Sequence, residues 1–295
     1  MKLFSDKQNG LFNWMDFKSG KYKLLYWVMS AFLIFMALVC IIPVLWVSLS
    51  GFKTIEEMYS VPPTIFPSSF DFSMIPRVWK KVNLGKAFLY SGIIIVGCVS
   101  ADVCFNGLAG FVLSKVKPRG SAILDTVVFW VMMMPSMGIV TGYMNMIDFT
   151  PLHLNLTGTF WPMWLAAGIN AFHIFLFRNM FNSIPNAYYE AAIIDGCSSL
   201  KAFFKVFVPL GKPTIMVVVI TTIMASWGNY MSPLLYLNGT DMIPVALKLF
   251  KLSEFSLMKN EEFMVLTIAI LVPVALFAVF SRQIIGGADS SGVKG

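Results

Sequence analysis

EAAIIDGCSSLKAFFKVFVPLGKP, residues 190–213, lies between two of the most apolar parts of the chain, yet is itself polar and patterned. It carries Glu190, Asp195, Lys201, Lys205 and Lys212. Pro185 opens a new element just ahead of it, with Asn186 or Ser183 available as a cap. AYYEAAIID then supplies about two helical turns. Gly196 ends them, because helix C-termini favour a residue that accepts φ > 0. Ser198 or Ser199 caps a second short helix, LKAFFKVFV, in which Leu200, Phe203, Phe204 and Phe207 recur at i, i+3, i+4, i+7 as one apolar face. Pro209 and Pro213 mark the entry to the next element. Ala191 and Ala192 are small enough to let a partner surface come close, and Glu190 is placed to meet a basic group. Spacing alone leaves two readings open: a docking element, or a solvated elbow whose phenylalanines pack on neighbouring helices.

The surroundings decide what kind of molecule carries this segment. The chain is 57% hydrophobic and only 13% charged, with a mean hydropathy of +0.74. A soluble domain has about 25% charged residues with which to cover its surface. This chain therefore reads as an all-α polytopic membrane protein. The net charge of +7 is modest and spread over connecting segments, which sets orientation rather than nucleic-acid binding. Cys40, Cys98, Cys104 and Cys197 form no CxxC pair, and His153 and His173 have no neighbouring metal-ligand companion. Neither a zinc site nor a disulfide framework is expected.

Six apolar windows approach the roughly 20 residues that a bilayer core requires. They are 24–47, 87–113, 122–145, 157–181, 213–236 and 263–282. The first lacks a cleavage site and reads as a retained helix after a polar segment, 1–23. With the N-terminus in the cytoplasm, inside segments hold fourteen Lys and Arg against seven outside. That bias puts both termini inside, and with them residues 182–212 and the tail 285–295. Of the outside loops, 48–85 contains a VPPTIFP stretch, 61–67, that cannot be regular helix. Ile75, Val78, Trp79 and Val82 then predict a short amphipathic helix lying at the membrane interface.

Glu190-Ala191-Ala192, Gly196, Val206, Val208 and Pro209 together resemble the cytoplasmic EAA signature of ABC importer permeases. Val206 and Val208 stand where that family more often has Ile and Leu. FHIFLFRNMFNSIPNAYYEAAIIDGCS (172–198) and SWGNYMSPLL (226–235) are similar to the carbohydrate-uptake, maltose-transporter-like branch, with Gly228 where that branch tends to have Asn. The resemblance runs from about Leu24 to Gly295. It implies a type I ABC importer permease fold in the bacterial cytoplasmic membrane, with residues 185–212 as the segment that couples to an ATPase. Glu190, Ala191, Ala192, Asp195, Gly196 and Pro209 would be its contact residues, and Ser291, Gly292, Val293, Lys294 and Gly295 a tail that reaches the same ATPase. The implied partners are a second permease subunit, two ATPase domains and an external sugar-binding protein. ATP and Mg would sit on the ATPase, since this chain has no GxxxxGK[ST] of its own.

Sugars are held by aromatic faces with amide and carboxylate partners. Asn145, Trp227, Asn229 and Tyr230 are the candidates at membrane depth. Asp102 stands in the middle of the second window, where a charge costs roughly 2.5–3.5 kcal/mol. It requires a partner or a cavity. Gly138 and Gly142 form a GxxxG packing face. Arg178, at the end of the fourth window, is expected to snorkel or to cap its helix. No clustered catalytic triad is visible, and the paired repeats of a secondary transporter are missing.

Overall fold

The computed structural model describes residues 20–133, 142, 146, 147 and 154–291, with backbone alone at 20–22 and 281–291. Asn145, Gly138, His153, the end of the 122–145 window and Gly292–Gly295 lie outside the described residues. The described chain is helical throughout and contains no β-strand. Three helices are long and apolar enough to cross a bilayer: Lys23–Ser50, Leu84–Val116 and Lys259–Phe280. A fourth joins them if Ser199–Leu210 and Lys212–Gly228, bent 85° apart, are taken together.

The other windows are interrupted. Window 157–181 divides into Trp161–Ala167 and Ala171–Ser183. Between them Asn170 caps the second piece, its side chain accepting from the His173 amide at 3.1 Å. Window 213–236 divides at Asn229, whose side chain accepts from the Ser232 amide at 3.0 Å ahead of Met231–Tyr236. In both places an Asn offers the backbone a competing side-chain partner, which is how such residues stop or start helices. The third window begins with Ser121–Met133, which packs against Ala171–Ser183.

Helix Leu84–Val116 is the spine. Its 33 residues reach about 50 Å, enough to join two separate apolar clusters. At its start, Val78, Val82, Leu84, Met264 and Val265 are buried together. The short helix Met74–Lys81 contributes to that cluster. Its apolar face is thus taken up by protein, Met74 and Val78 packing on the last helix, rather than by the membrane interface expected from sequence. Trp79 stacks on Phe88 at 5.3 Å. Before it, Thr54 and Glu57 close a capping box. Hydrogen bonds from Ser68 and Thr54 hold the Glu57 carboxyl down at about 2. Gly51 lets the end of the first helix meet Met264, where an added Cβ would stand 3.0 Å from backbone. The rest of that first helix is exposed along almost its whole length, as a surface for lipid or another subunit must be.

At the far end of the spine, Phe111, Phe177, Phe181, Phe203 and Phe207 form the second cluster. Gly110 permits it: a Cβ there would come within 2.6 Å of the Phe177 Cβ. Phe203 and Phe207 are buried while Leu200 and Phe204 are exposed. The expected four-residue apolar face is therefore split. A π-turn over Phe203–Phe207 changes the spacing, so Ala202, Phe203 and Phe207 face inward and the other two flank them.

Candidate functional site

Two features stand apart from simple packing. The first is the turn that joins Ala187–Ile194 to Ser199–Leu210. Asp195 is the C-cap and Gly196 follows at φ 77°. The Gly196 amide donates to the Ile193 carbonyl at 3.0 Å and the Cys197 amide to the Ala192 carbonyl at 2.9 Å. This pair of bonds is a complete Schellman closure, and it needs the left-handed residue. Ser198 then caps the next helix, accepting from the Lys201 amide at 3.3 Å. Tyr189 and Ser199 hydroxyls, 2.9 Å apart, tie the two helices together.

This turn is anchored from below. Lys115 donates to the Ile184 carbonyl at 2.5 Å and to Asn186 Oδ1 at 2.8 Å. Asn186 is thereby engaged by a lysine and makes no side-chain cap, and Ser183 bonds back to Met180 instead. Ser114 donates to Asn182 Oδ1 at 2.9 Å. Arg178 does not snorkel: it grips Asp125, with Nη2 to Oδ2 at 2.8 Å and Nε to Oδ1 at 2.7 Å. The anchoring leaves Glu190, Ala191, Asp195 and Gly196 exposed, Ile194 at 85%, and Ala192 buried. Pro209 is exposed as well, in the last turn of Ser199–Leu210.

The second feature is a polar node inside the helical bundle. Asp102 and Asn106 occupy the two ends of a π-turn in the spine, both essentially fully buried. Asp102 Oδ2 meets His173 Nδ1 at 2.8 Å and accepts the Thr222 hydroxyl. Its Oδ1 accepts from Asn106 Nδ2 at 2.7 Å. Asn106 also donates to the Ala167 carbonyl at 2.8 Å and accepts from the Asn170 amide at 3.0 Å. Two of the backbone groups freed between Trp161–Ala167 and Ala171–Ser183, the Ala167 carbonyl and the Asn170 amide, are thus met from the spine, as buried helix ends require. A cavity of about 180 Å³ opens beside the node, with Asn170, Ser226, Asn229 and Ser232 on its wall.

The pore candidates separate. Asn229 faces that polar cavity. Trp227 and Tyr230 line a different, apolar hollow against the last helix. There Trp227 packs edge-on to Phe88 at 5.6 Å, and Tyr230 stacks on Phe250 at 4.6 Å. Asn145 is outside the described residues. Sequence reading flagged Asp102 but passed over Asn106, Asn170, His173 and Thr222. The polar spacing Asp102–Asn106 at i, i+4 was the available signal.

Comparison with known proteins places this arrangement. Permease protein YtcP of the polygalacturonan/rhamnogalacturonan transport system of Bacillus subtilis is 28% identical over 225 residues, 76% of this chain and 77% of that protein. Permease protein NgcG of the diacetylchitobiose uptake system of Streptomyces coelicolor is 26% identical over 266 residues, 89% of this chain and 87% of that one. A chain from the crystal structure of a bacterial ABC transporter that imports the acidic polysaccharide alginate shares the fold, with a TM-score of 0.78 at 21% identity. The likeness covers 90% of this chain and 98% of that one. Residues 106–287, which contain His173, Thr222 and the whole Gly196 turn, match the family described as binding-protein-dependent transport system inner membrane component. That match takes in more than half of the sequence, and the chain belongs to this family of transporter permeases.

Proposed function

We propose that the chain is one of the two permease subunits of an ATP-driven importer for a sugar or oligosaccharide. It crosses the cytoplasmic membrane six times with both termini inside. Residues 185–212 dock on a separate ATPase, which carries the ATP and Mg. The single observation that carries this reading is the Gly196 turn: exposed at Glu190, Ala191, Ile194 and Asp195, yet fixed through Phe203, Phe207 and Lys115 to the spanning helices. Tyr188, Ile193 and Ile194 are exposed together on this rigid base, and an exposed apolar group of that kind supports a docking element over a solvated elbow. Ala171–Ser183 links the two features: His173 near its start sits in the Asp102 node beside the cavity, and its end leads through Ile184–Asn186, held by Lys115, into Ala187–Ile194 and the turn. ATPase closure would move the turn and, with it, the wall of that cavity, a two-state change biased by ATP and substrate.

The carbohydrate class is supported by the relatives, two of which carry names of oligosaccharide or polysaccharide systems. Asn229 is the pathway residue the geometry favours. Trp227 and Tyr230, engaged with Phe88 and Phe250, remain pathway candidates through the apolar hollow. An external binding protein would meet the end that bears the two long outside loops, 48–85 and 237–262.

The test is binding-protein-stimulated ATP hydrolysis in vesicles, native chain against Glu190→Lys, within the assembled complex. Stimulation lost in the variant with the chain still inserted identifies 185–212 as the coupling element. Uptake that needs no ATPase at all would remove the importer reading.

A further inference from the structure

The helix Ser199–Leu210 carries a surface that the docking turn does not use. It is bent 85° from Lys212–Gly228. A helix at that angle to a spanning helix lies in the membrane plane. Its inward side, Phe203 and Phe207, is taken up by the phenylalanine cluster. Beside that side runs an apolar flank, with Leu200 55% and Phe204 52% exposed. Next to the flank stand Lys201 and Lys205, with Lys212 at the bend, all exposed. Lys117 and Arg119, just beyond the same end of the spine, are exposed too. Among the described residues no carboxylate pairs with any of these five cations. Asp125, in the helix that follows Lys117 and Arg119, is held by Arg178.

An in-plane helix with an apolar flank bordered by lysines is the arrangement that binds a lipid interface. We propose that Ser199–Leu210 is such an element. Leu200 and Phe204 enter the boundary between headgroups and acyl chains, and Lys201, Lys205 and Lys212 bind the phosphates of anionic phospholipids. Charge complementarity chooses the occupant: an uncompensated basic patch at membrane level meets the one surface there that is densely negative. The acidic residues Glu190 and Asp195 are exposed on the neighbouring helix Ala187–Ile194 and its cap and remain free for the ATPase. The bilayer would then hold one helix of the coupling unit while the ATPase moves the other. The inference rests on Lys212–Gly228 crossing the bilayer, not on the identity of the substrate.

The full chain in its assembled complex is placed in phosphatidylcholine vesicles containing from none to about 40% phosphatidylglycerol, without nucleotide. Backbone hydrogen exchange is followed in 199–210 and, as an internal control, in 84–116. Each lysine near an anionic surface is worth about 1 kcal/mol, so with three of them exchange over 199–210 should slow on the order of a hundredfold as the anionic lipid rises. The protection should fall in 0.5 M salt and in the double variant Lys201→Gln, Lys205→Gln, with 84–116 unchanged. A Phe204→Ser variant, which removes a half-exposed ring packed edge-on against Phe203, should lose part of the protection in every lipid mixture, with 84–116 unchanged. Protection of 199–210 that ignores lipid charge and both variants would overturn the proposal. Protection that tracks only the presence of the ATPase would do the same and assign this flank to the protein partner.

Discussion

At the scale of single residues, Asp102 concentrates the most consequence. One carboxylate, 1% exposed, serves His173, Thr222 and Asn106 from three different parts of the chain. Replacing it with Ala removes the acceptor and leaves those donors buried. The expected loss is on the order of 3–5 kcal/mol, or roughly 10 °C in the melting temperature of the purified complex. Asp102→Asn keeps the shape and one acceptor and should lose clearly less. Thermal unfolding of the two variants side by side checks this, and equal, small losses would mean the node is idle. The sequence announced half of this node. A carboxylate in an apolar run demands a partner, and so Asp102 was legible. The partner was not, because His173 and Thr222 lie 71 and 120 positions away, and periodicity within one helix carries no information about which helix faces it. His173 looked companionless for the same reason.

At the scale of elements, the helices that mattered for the turn were legible and the interruptions were not. Gly196, Ser198 and the flanking prolines each impose a local backbone conformation, so their positions could be read directly. The gaps after Ala167 and Gly228 could not, because both lie inside windows that are apolar on average. The signal was a single Asn in each, and its effect depends on tertiary partners: at the first gap Asn106 meets the Ala167 carbonyl and the Asn170 amide, while the Asn170 side chain takes the His173 amide. The split of the Phe203 face likewise arises from a π-turn that no apolar spacing declares. The contact between the spine and Ala171–Ser183 gives the test at this scale. At Gly110 a Cβ would stand 2.6 Å from the Phe177 Cβ and 2.8 Å from the Arg178 amide nitrogen, so backbone would have to move. Gly110→Ala should therefore destabilise by about 1–3 kcal/mol, the usual range for overpacking. Gly92, with nothing within 4 Å of the same atom, should accept Ala with no loss or a small gain. The measurement is melting temperature of the two variants in one lipid mixture. Equal behaviour would show that the two helices are free to separate at Gly110.

At the scale of the whole molecule, the last helix connects the two ends. Lys259–Ser291 has 33 residues and reaches about 50 Å, against a hydrocarbon core of about 30 Å. Only Lys259–Phe280 meets the length and composition of a membrane crossing. Its first turns are fixed in the cluster with Val78 and Leu84, where Lys81 also meets Glu261 at 2.6 Å. In the proposed topology the helix continues past the bilayer on the cytoplasmic side, the side assigned to the Gly196 turn. Residues 286–295, GGADSS followed by GVKG, are small and polar. If this tail reaches the ATPase, as the family resemblance implies, then removing Ser291–Gly295 should leave expression, insertion and melting temperature unchanged. Binding-protein-stimulated ATP hydrolysis should fall or lose its dependence on substrate. The two readouts separate the explanations: a loss of melting temperature would mean that the tail packs on the spanning helices, and unchanged transport at full stability would reject any role for it. A loss of coupling at full stability would make the tail a second contact with the ATPase, apart from the Glu190 turn. The double loss on combining the deletion with Glu190→Lys would then show whether the two contacts act independently.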